Sequence, residues 1–144
     1  MYGIEVEGHF DAAHFLSNYH GKCENLHGHR YRVVVTLCVD DTALQREGTE
    51  GDMVMDFSQA KACIANICSC FDHTFLLEKG SLQPSTVAAL EKEGFALLEL
   101  PYRTTAENLA HDIFDRCMEV HLPVSKVEVD ETPHNRAFYE PSSA

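Results

Sequence analysis

The chain has 144 residues, 44% of them hydrophobic and 24% charged, which is near the usual length of one globular domain and enough to bury a core without covalent staples. Eleven Lys and Arg against 23 Asp and Glu give a formal charge of -12, so no cationic cluster is available to displace the counterions of a nucleic acid. No apolar run reaches the roughly 18 residues of a membrane span, and Met1–Glu5 has neither the basic nor the apolar region of a signal peptide. The expectation is a cytoplasmic protein with neither nucleic acid nor membrane as partner.

Residues 3–14 alternate in polarity, with Ile4, Val6, Phe10, Ala12 and His14 on one face, the pattern of a half-buried strand. Residues 29–39 repeat it around the β-branched run Val33–Thr36, and His27 and His29 share the side of Tyr31, Val33 and Val35 if that strand starts early. The connection from Ser17 to Asn25 is polar, and residues 40–52 form an acidic, glycine-bearing loop. Asp56 and Gln59 have the spacing of a capping box. They open a helix whose apolar stripe runs Phe57, Ala60, Ile64, Ile67, Cys68, Phe71 and which ends near Asp72–His73. A shorter helix spans Pro84 to Glu93, followed by a short strand from Phe95 to Leu100. Thr104 and Glu107 form a second capping box ahead of Leu109, Ala110, Ile113, Phe114 and Cys117. Val127, Val129 and Glu131 share a strand face, with a hairpin partner at residues 136–140. Residues 1–140 form one domain, and the 141–144 tail is expected to fray. The fold class is α+β, with hairpins at both ends forming one antiparallel sheet and helices on one face. The two open edges of such a sheet favour pairing between copies.

The chemistry concentrates in the histidines. Two residues spaced i, i+2 on one strand plus a third from its neighbour suit a zinc ion. His14, His27 and His29 leave the fourth tetrahedral position open, as catalytic rather than structural zinc sites do. The alternative is a core histidine at 14 and a simple His-Gly-His turn. Six cysteines in a reducing compartment stay thiols, and five of them read as packing residues. Cys23, four residues before His27, is a fourth ligand, a nucleophile or a general base. Asp72–His73 offers an acid/base group with a carboxylate beside it, or else a histidine meeting a helix C-terminus. Glu131 is an acid among valines, suited to the paired donors of a guanine-like ring edge. No dinucleotide fingerprint and no H-E-x-x-H motif are present.

Phe10-Asp-Ala-Ala-His14, Cys23-Glu-Asn-Leu-His27-Gly-His29, Met55-Asp56-Phe57, Phe71-Asp72-His73, Thr105-Ala-Glu107-Asn108-Leu-Ala110 and Glu131-Thr132 occur in an order that resembles the 6-pyruvoyltetrahydropterin synthase family along nearly the whole chain. Three residues between the cysteine and His-Gly-His are similar to the bacterial 6-carboxy-5,6,7,8-tetrahydropterin synthase branch of the queuosine pathway. The resemblance implies the tunnelling fold, a four-stranded antiparallel sheet in β-β-α-α-β-β order whose trimers close into a barrel and stack into a homohexamer. It also implies zinc on His14, His27 and His29, with Cys23, Asp72 and His73 as a catalytic triad shared across a subunit boundary. Glu131 would anchor the pterin, with Thr105 and Glu107 near it. The implied activity is a lyase reaction on 7,8-dihydroneopterin triphosphate; the alternatives are pyruvoyl synthesis with the side chain retained, or a non-catalytic pterin- or metal-binding module. Lys22, Arg103 and Arg136 lie nearest the motifs as cations for the triphosphate. Thr104 replaces the proline common before Thr-x-Glu, Leu77 stands where asparagine is frequent, and the 80–100 segment is longer. None of these departures is expected to touch a ligand or triad position.

Overall fold

The computed structural model describes residues 1–142, so Ser143 and Ala144 of the expected frayed tail lie outside the described residues. The strands are β1 (Tyr2–His14), β2 (His27–Val39), β3 (Thr74–Glu78), β4 (Leu97–Leu100), β5 (Val124–Thr132) and β6 (Asn135–Tyr139). The helices are α1 (Phe57–Ser69), α2 (Pro84–Lys92) and α3 (Ala106–Glu119). The strands form one sheet in the order β4-β3-β1-β2-β5-β6.

The two hairpins appear as the alternation demands. β1 and β2 pair antiparallel without interruption from Tyr2 opposite Val39 to His14 opposite His27, and β5 pairs with β6 antiparallel. The sheet is nevertheless six-stranded and mixed, not four-stranded and antiparallel. β3 runs parallel to β1, paired only at Ala12–Thr74 and Ala13–Phe75, and β4 runs parallel to β3. The extra strand β3, Thr-Phe-Leu-Leu-Glu, follows α1 through a turn that has no glycine or proline. His73 takes the left-handed conformation there instead, at φ 55°. A three-residue apolar run, Phe75 to Leu77, entered that way shows no period of its own, so it carries no strand signal until its non-local partners are known. The long 80–100 segment is accounted for by α2 and β4, a crossover that lets two parallel strands sit side by side.

Helices form where their caps direct. The Asp56 carboxylate accepts from the amides of Ser58 and Gln59 at 2.8 and 3.2 Å, satisfying two orphan donors at the start of α1 and contributing about 1 kcal/mol. The cap of α3 is Thr105 and not Thr104: its hydroxyl accepts from the Asn108 amide at 3.3 Å. α1 and α3 bury Ile64, Ile67, Leu109 and Ile113 against Val6, Phe10, Tyr31, Val33, Val127 and Val129 of the sheet. A Cβ on Gly8 would stand 2.7 Å from Cys68 Sγ and 2.9 Å from Ile64 Cγ2, so the absence of a side chain there sets how closely α1 lies on β1. All six cysteines are free thiols, with Cys68 and Cys117 buried.

The opposite sheet face is charged. Glu7, Arg32, Asp130 and Arg136 form a run of alternating ion pairs across β1, β2, β5 and β6, in which Arg32 meets Asp130 at 3.1 Å and Asp130 meets Arg136 at 3.5 Å. On β5 the register advances two residues, from Asp130 to Thr132, while β6 advances one. Glu131 is the residue left without a ladder partner, which is a β-bulge.

Candidate active site

The register that places His14 opposite His27 also brings His29 alongside, so three imidazoles from the β1–β2 hairpin meet at one end of the sheet. Their ring centroids lie 4.6, 5.2 and 4.8 Å apart. Their protonation pattern follows from their partners. His14 Nδ1 lies 2.9 Å from the Thr104 carbonyl oxygen, and His27 Nδ1 lies 2.6 Å from the Asn25 carbonyl oxygen. A carbonyl only accepts, so in both rings Nδ1 carries the proton and Nε2 keeps its lone pair. The Nε2 atoms of His14, His27 and His29 are all buried without a hydrogen-bond partner. Three unpartnered Nε2 atoms, two of them with lone pairs set by carbonyl-bound N–H groups behind the ring, are the arrangement by which histidines are oriented onto a metal.

Burial pushes the His14 imidazole down to about 4, and burial also lowers His29, opposed by the Glu131 charge. Both rings are therefore neutral at pH 7, as ligands must be. Glu131 Oε1 lies 3.1 Å from His29 Nε2, close but without hydrogen-bond geometry. One donor atom from each of His14, His27, His29 and Glu131 lies within 4.8 Å of the others, a group able to hold a metal ion. Sequence reasoning places Glu131 at the pterin ring; the bulge places it equally against the histidines.

Thr104 is fully buried, and its hydroxyl stands 3.2 Å from His14 Nδ1 in addition to the carbonyl contact. The expectation that this departure touches no ligand position is overturned. A buried threonine read as a helix cap instead backs a histidine, because the true cap sits one residue later. Tyr31 is also missed as a neighbour of the site. It is two residues beyond His29 on the same face, its hydroxyl is buried without a partner, and its ring edge meets His29 with centroids 5.4 Å apart. Burial raises the Tyr31 phenol far above its usual value, helped by the charge of Glu131.

Cys23 lies in a single 3₁₀ turn, Lys22–Glu24, and is half-buried. Its carbonyl accepts from the Leu16 amide at 2.8 Å, which closes the connection between β1 and β2. Asp72 and His73 sit elsewhere, on the turn between α1 and β3. His73 Nδ1 is 2.9 Å from Asp72 Oδ2, with the histidine side chain 80% exposed. The Asp11 amide and then His73 hold the Asp72 carboxyl below its usual range, while the carboxylate raises His73. Among the described residues no hydrogen bond or ion pair joins Cys23 to Asp72 or His73. Thr105, Glu107 and Glu131 do come together, lining one cleft of about 350 Å³ with Tyr19, Arg103 and Arg136. Lys22 does not line it.

The geometry is that of an α+β protein with a group fit to hold a metal ion beside a cleft of small-molecule size. The chain belongs to the 6-pyruvoyl tetrahydropterin synthase family, whose model matches residues 3–142. It is 36% identical over 143 residues to 6-carboxy-5,6,7,8-tetrahydropterin synthase of Haemophilus influenzae, covering 97% of this chain and 99% of that one. The enzyme of the same name from Synechocystis sp. is 39% identical over 100 residues, covering 69% of this chain and 76% of its own. Among solved structures, the 6-pyruvoyl tetrahydropterin synthase of Caenorhabditis elegans superimposes with a TM-score of 0.65 at 26% identity, covering 98% of this chain and 96% of that one. An uncharacterized Wolinella succinogenes protein shares the fold with a TM-score of 0.74, at 21% identity over 96% of this chain and 97% of its own. No helix among the described residues is long and apolar enough to cross a membrane.

Proposed function

We propose that this protein is a zinc-dependent 6-carboxy-5,6,7,8-tetrahydropterin synthase, acting in the cytoplasm as a homohexamer in queuosine biosynthesis. It converts 7,8-dihydroneopterin triphosphate and one water to 6-carboxytetrahydropterin, acetaldehyde and triphosphate, through one domain spanning residues 1–140. The observation that carries the reading is the trio of orphaned Nε2 atoms beside a cleft that gathers Thr105, Glu107 and Glu131. Relatives named for this activity support the carboxy branch.

His14, His27 and His29 hold the zinc, which supplies Lewis-acid polarisation of the substrate's side-chain oxygens when bound. Glu131 and Glu107 offer carboxylates to the paired N–H donors of the pterin edge, and Glu131 also flanks the metal. Cys23 is the thiolate that takes a carbon-bound proton. His73, whose proton is held more firmly beside the Asp72 carboxylate, returns one, so the ring is reduced by tautomerisation without a nicotinamide. The Asp72–His73 pair of one subunit faces the Cys23 of another. Assembly of this kind is supported by two open edges: β3 covers β1 only at Ala12 and Ala13, and β6 has no neighbour on its outer side.

The test is incubation of the zinc-loaded protein with dihydroneopterin triphosphate and identification of products by mass. A 6-carboxy pterin with acetaldehyde is expected. The diketone would assign the chain to pyruvoyl synthesis, and no product would leave a binding module.

A further inference from the structure

Arg103 stands apart from every other arginine in the chain. Arg30, Arg32, Arg46, Arg116 and Arg136 each pair with a carboxylate, at Asp11, Glu7, Asp52, Asp112 and Glu128 respectively. Arg103 pairs with none among the described residues, in a chain where 23 acidic residues outnumber 11 basic ones. Its Nε is buried and has no hydrogen-bond partner. A buried guanidinium N–H without an acceptor costs free energy unless a ligand supplies one. The residue lines the same cleft as Glu107 and Glu131.

Its position is fixed from three sides. The Arg103 carbonyl accepts from the Thr105 amide at 2.8 Å and from Asn108 Nδ2 at 2.9 Å, which pins the backbone to the first turn of α3. The guanidinium carbon lies over the Tyr19 ring, 5.9 Å from its centroid, a cation–π contact that gives the Nε N–H no acceptor oxygen. The next residue, Thr104, backs His14. One short segment thus presents a free guanidinium to the cleft and orients a residue of the metal-binding group.

We propose that Arg103 is the anchor for a polyphosphate group, the triphosphate arm of the substrate, an assignment that rests on the pterin triphosphate reading above. The guanidinium fork matches phosphate oxygens two at a time, and it leaves the carboxylates of the cleft to the donor edge of the ring. The free triphosphate released by the reaction offers the same oxygens, so both sources are tested.

Isothermal titration of the wild-type protein, Arg103→Gln and Arg46→Gln with tripolyphosphate, dihydroneopterin and dihydroneopterin triphosphate separates them. Arg103→Gln is expected to weaken tripolyphosphate binding about tenfold to a hundredfold and to raise the KM for the triphosphate substrate by a similar factor. Dihydroneopterin, which lacks phosphates, should bind Arg103→Gln as it binds wild type, and Arg46→Gln should change nothing. Equal tripolyphosphate affinity in wild type and Arg103→Gln overturns the assignment. On the unmutated protein, tripolyphosphate should slow modification of Arg103 by phenylglyoxal, read by peptide mass, and leave Arg46 unprotected; absence of protection also overturns it. Turnover with an unaltered KM in Arg103→Gln would leave the enzymatic function standing without the anchor. Tripolyphosphate held through Arg103 in a protein that makes no pterin product would leave the anchor standing without the function.

Discussion

The histidine cluster and the Asp72–His73 turn are built on opposite terms. In the cluster His14 is buried and His27 and His29 are half-buried, the Nδ1 atoms of His14 and His27 are tied to carbonyls, and all three Nε2 atoms are buried without a hydrogen-bond partner. On the turn the histidine is exposed, and its Nδ1 is already met by a carboxylate within the pair. In one region the backbone orients two of the rings from behind. In the other the backbone of Asp11 holds the Asp72 carboxylate and the His73 amide, and the imidazole projects outward. Under the proposed function the two regions are halves of one site contributed by different copies, and each half can be tested by breaking it alone.

The largest effect is expected from Cys23→Ala, which removes the proposed proton-abstracting group from the ordered half. Turnover should fall by a factor on the order of 10²–10⁴ with zinc content unchanged. Loss of zinc in that variant would move Cys23 into the ligand set. His27→Ala should do the converse and lose most of its metal, because two imidazoles make a poor tetrahedral site; elemental analysis after dialysis reads it. The division itself is sharpened by mixing Cys23→Ala with His73→Ala, dissociating the two and letting them reassemble. If the halves come from different subunits, the mixture recovers activity that neither variant has alone, and mixed assemblies that stay inactive confine the triad to one chain.

A smaller loss is expected from Glu131→Gln, which keeps the shape but turns one acceptor into a donor facing the ring's donors. Substrate binding should weaken roughly tenfold to a hundredfold while three histidines retain the zinc. Since Glu131 Oε1 lies 3.1 Å from His29 Nε2, metal loss in this variant would instead make the carboxylate a ligand. The mildest test is pH. His14, held at about 4 when folded against 6.5 when free, binds fewer protons in the folded than in the unfolded chain between those values. Metal-free protein should therefore have its full stability above about pH 6.5 and lose it as pH falls toward 4, seen as a falling urea midpoint. A midpoint that is flat over this window would mean that His14 titrates normally.

What the sequence discloses divides along similar lines. β1, β2, α1, α3 and the β5–β6 hairpin are legible because each writes its own period and its own cap. The metal-binding trio is legible because it follows from strand alternation plus one antiparallel pairing. β3 is not, since its evidence lies in parallel partners at Ala12 and Ala13 and on β4, far away along the chain. The role of Thr104 is hidden for a related reason: a threonine before a helix reads as a cap until the fold shows that it backs His14. Arg103 is one of three cations that the sequence singles out, and the fold is needed to show that it lines the cleft without an acid partner while Lys22 does not line it.

The bulge at Glu131 bears on how this sequence tolerates insertion and deletion. Asp130 and Glu131 are adjacent, yet one joins the charged run on the outer face and the other the histidine group. Removing Glu131 itself would restore an even ladder with β6, so pairing alone would not oppose the deletion. The hairpin could then remain intact while the carboxylate vanished from the histidine group. A chain one residue shorter at this point would be expected to keep the fold and to present three histidines without their neighbouring acid.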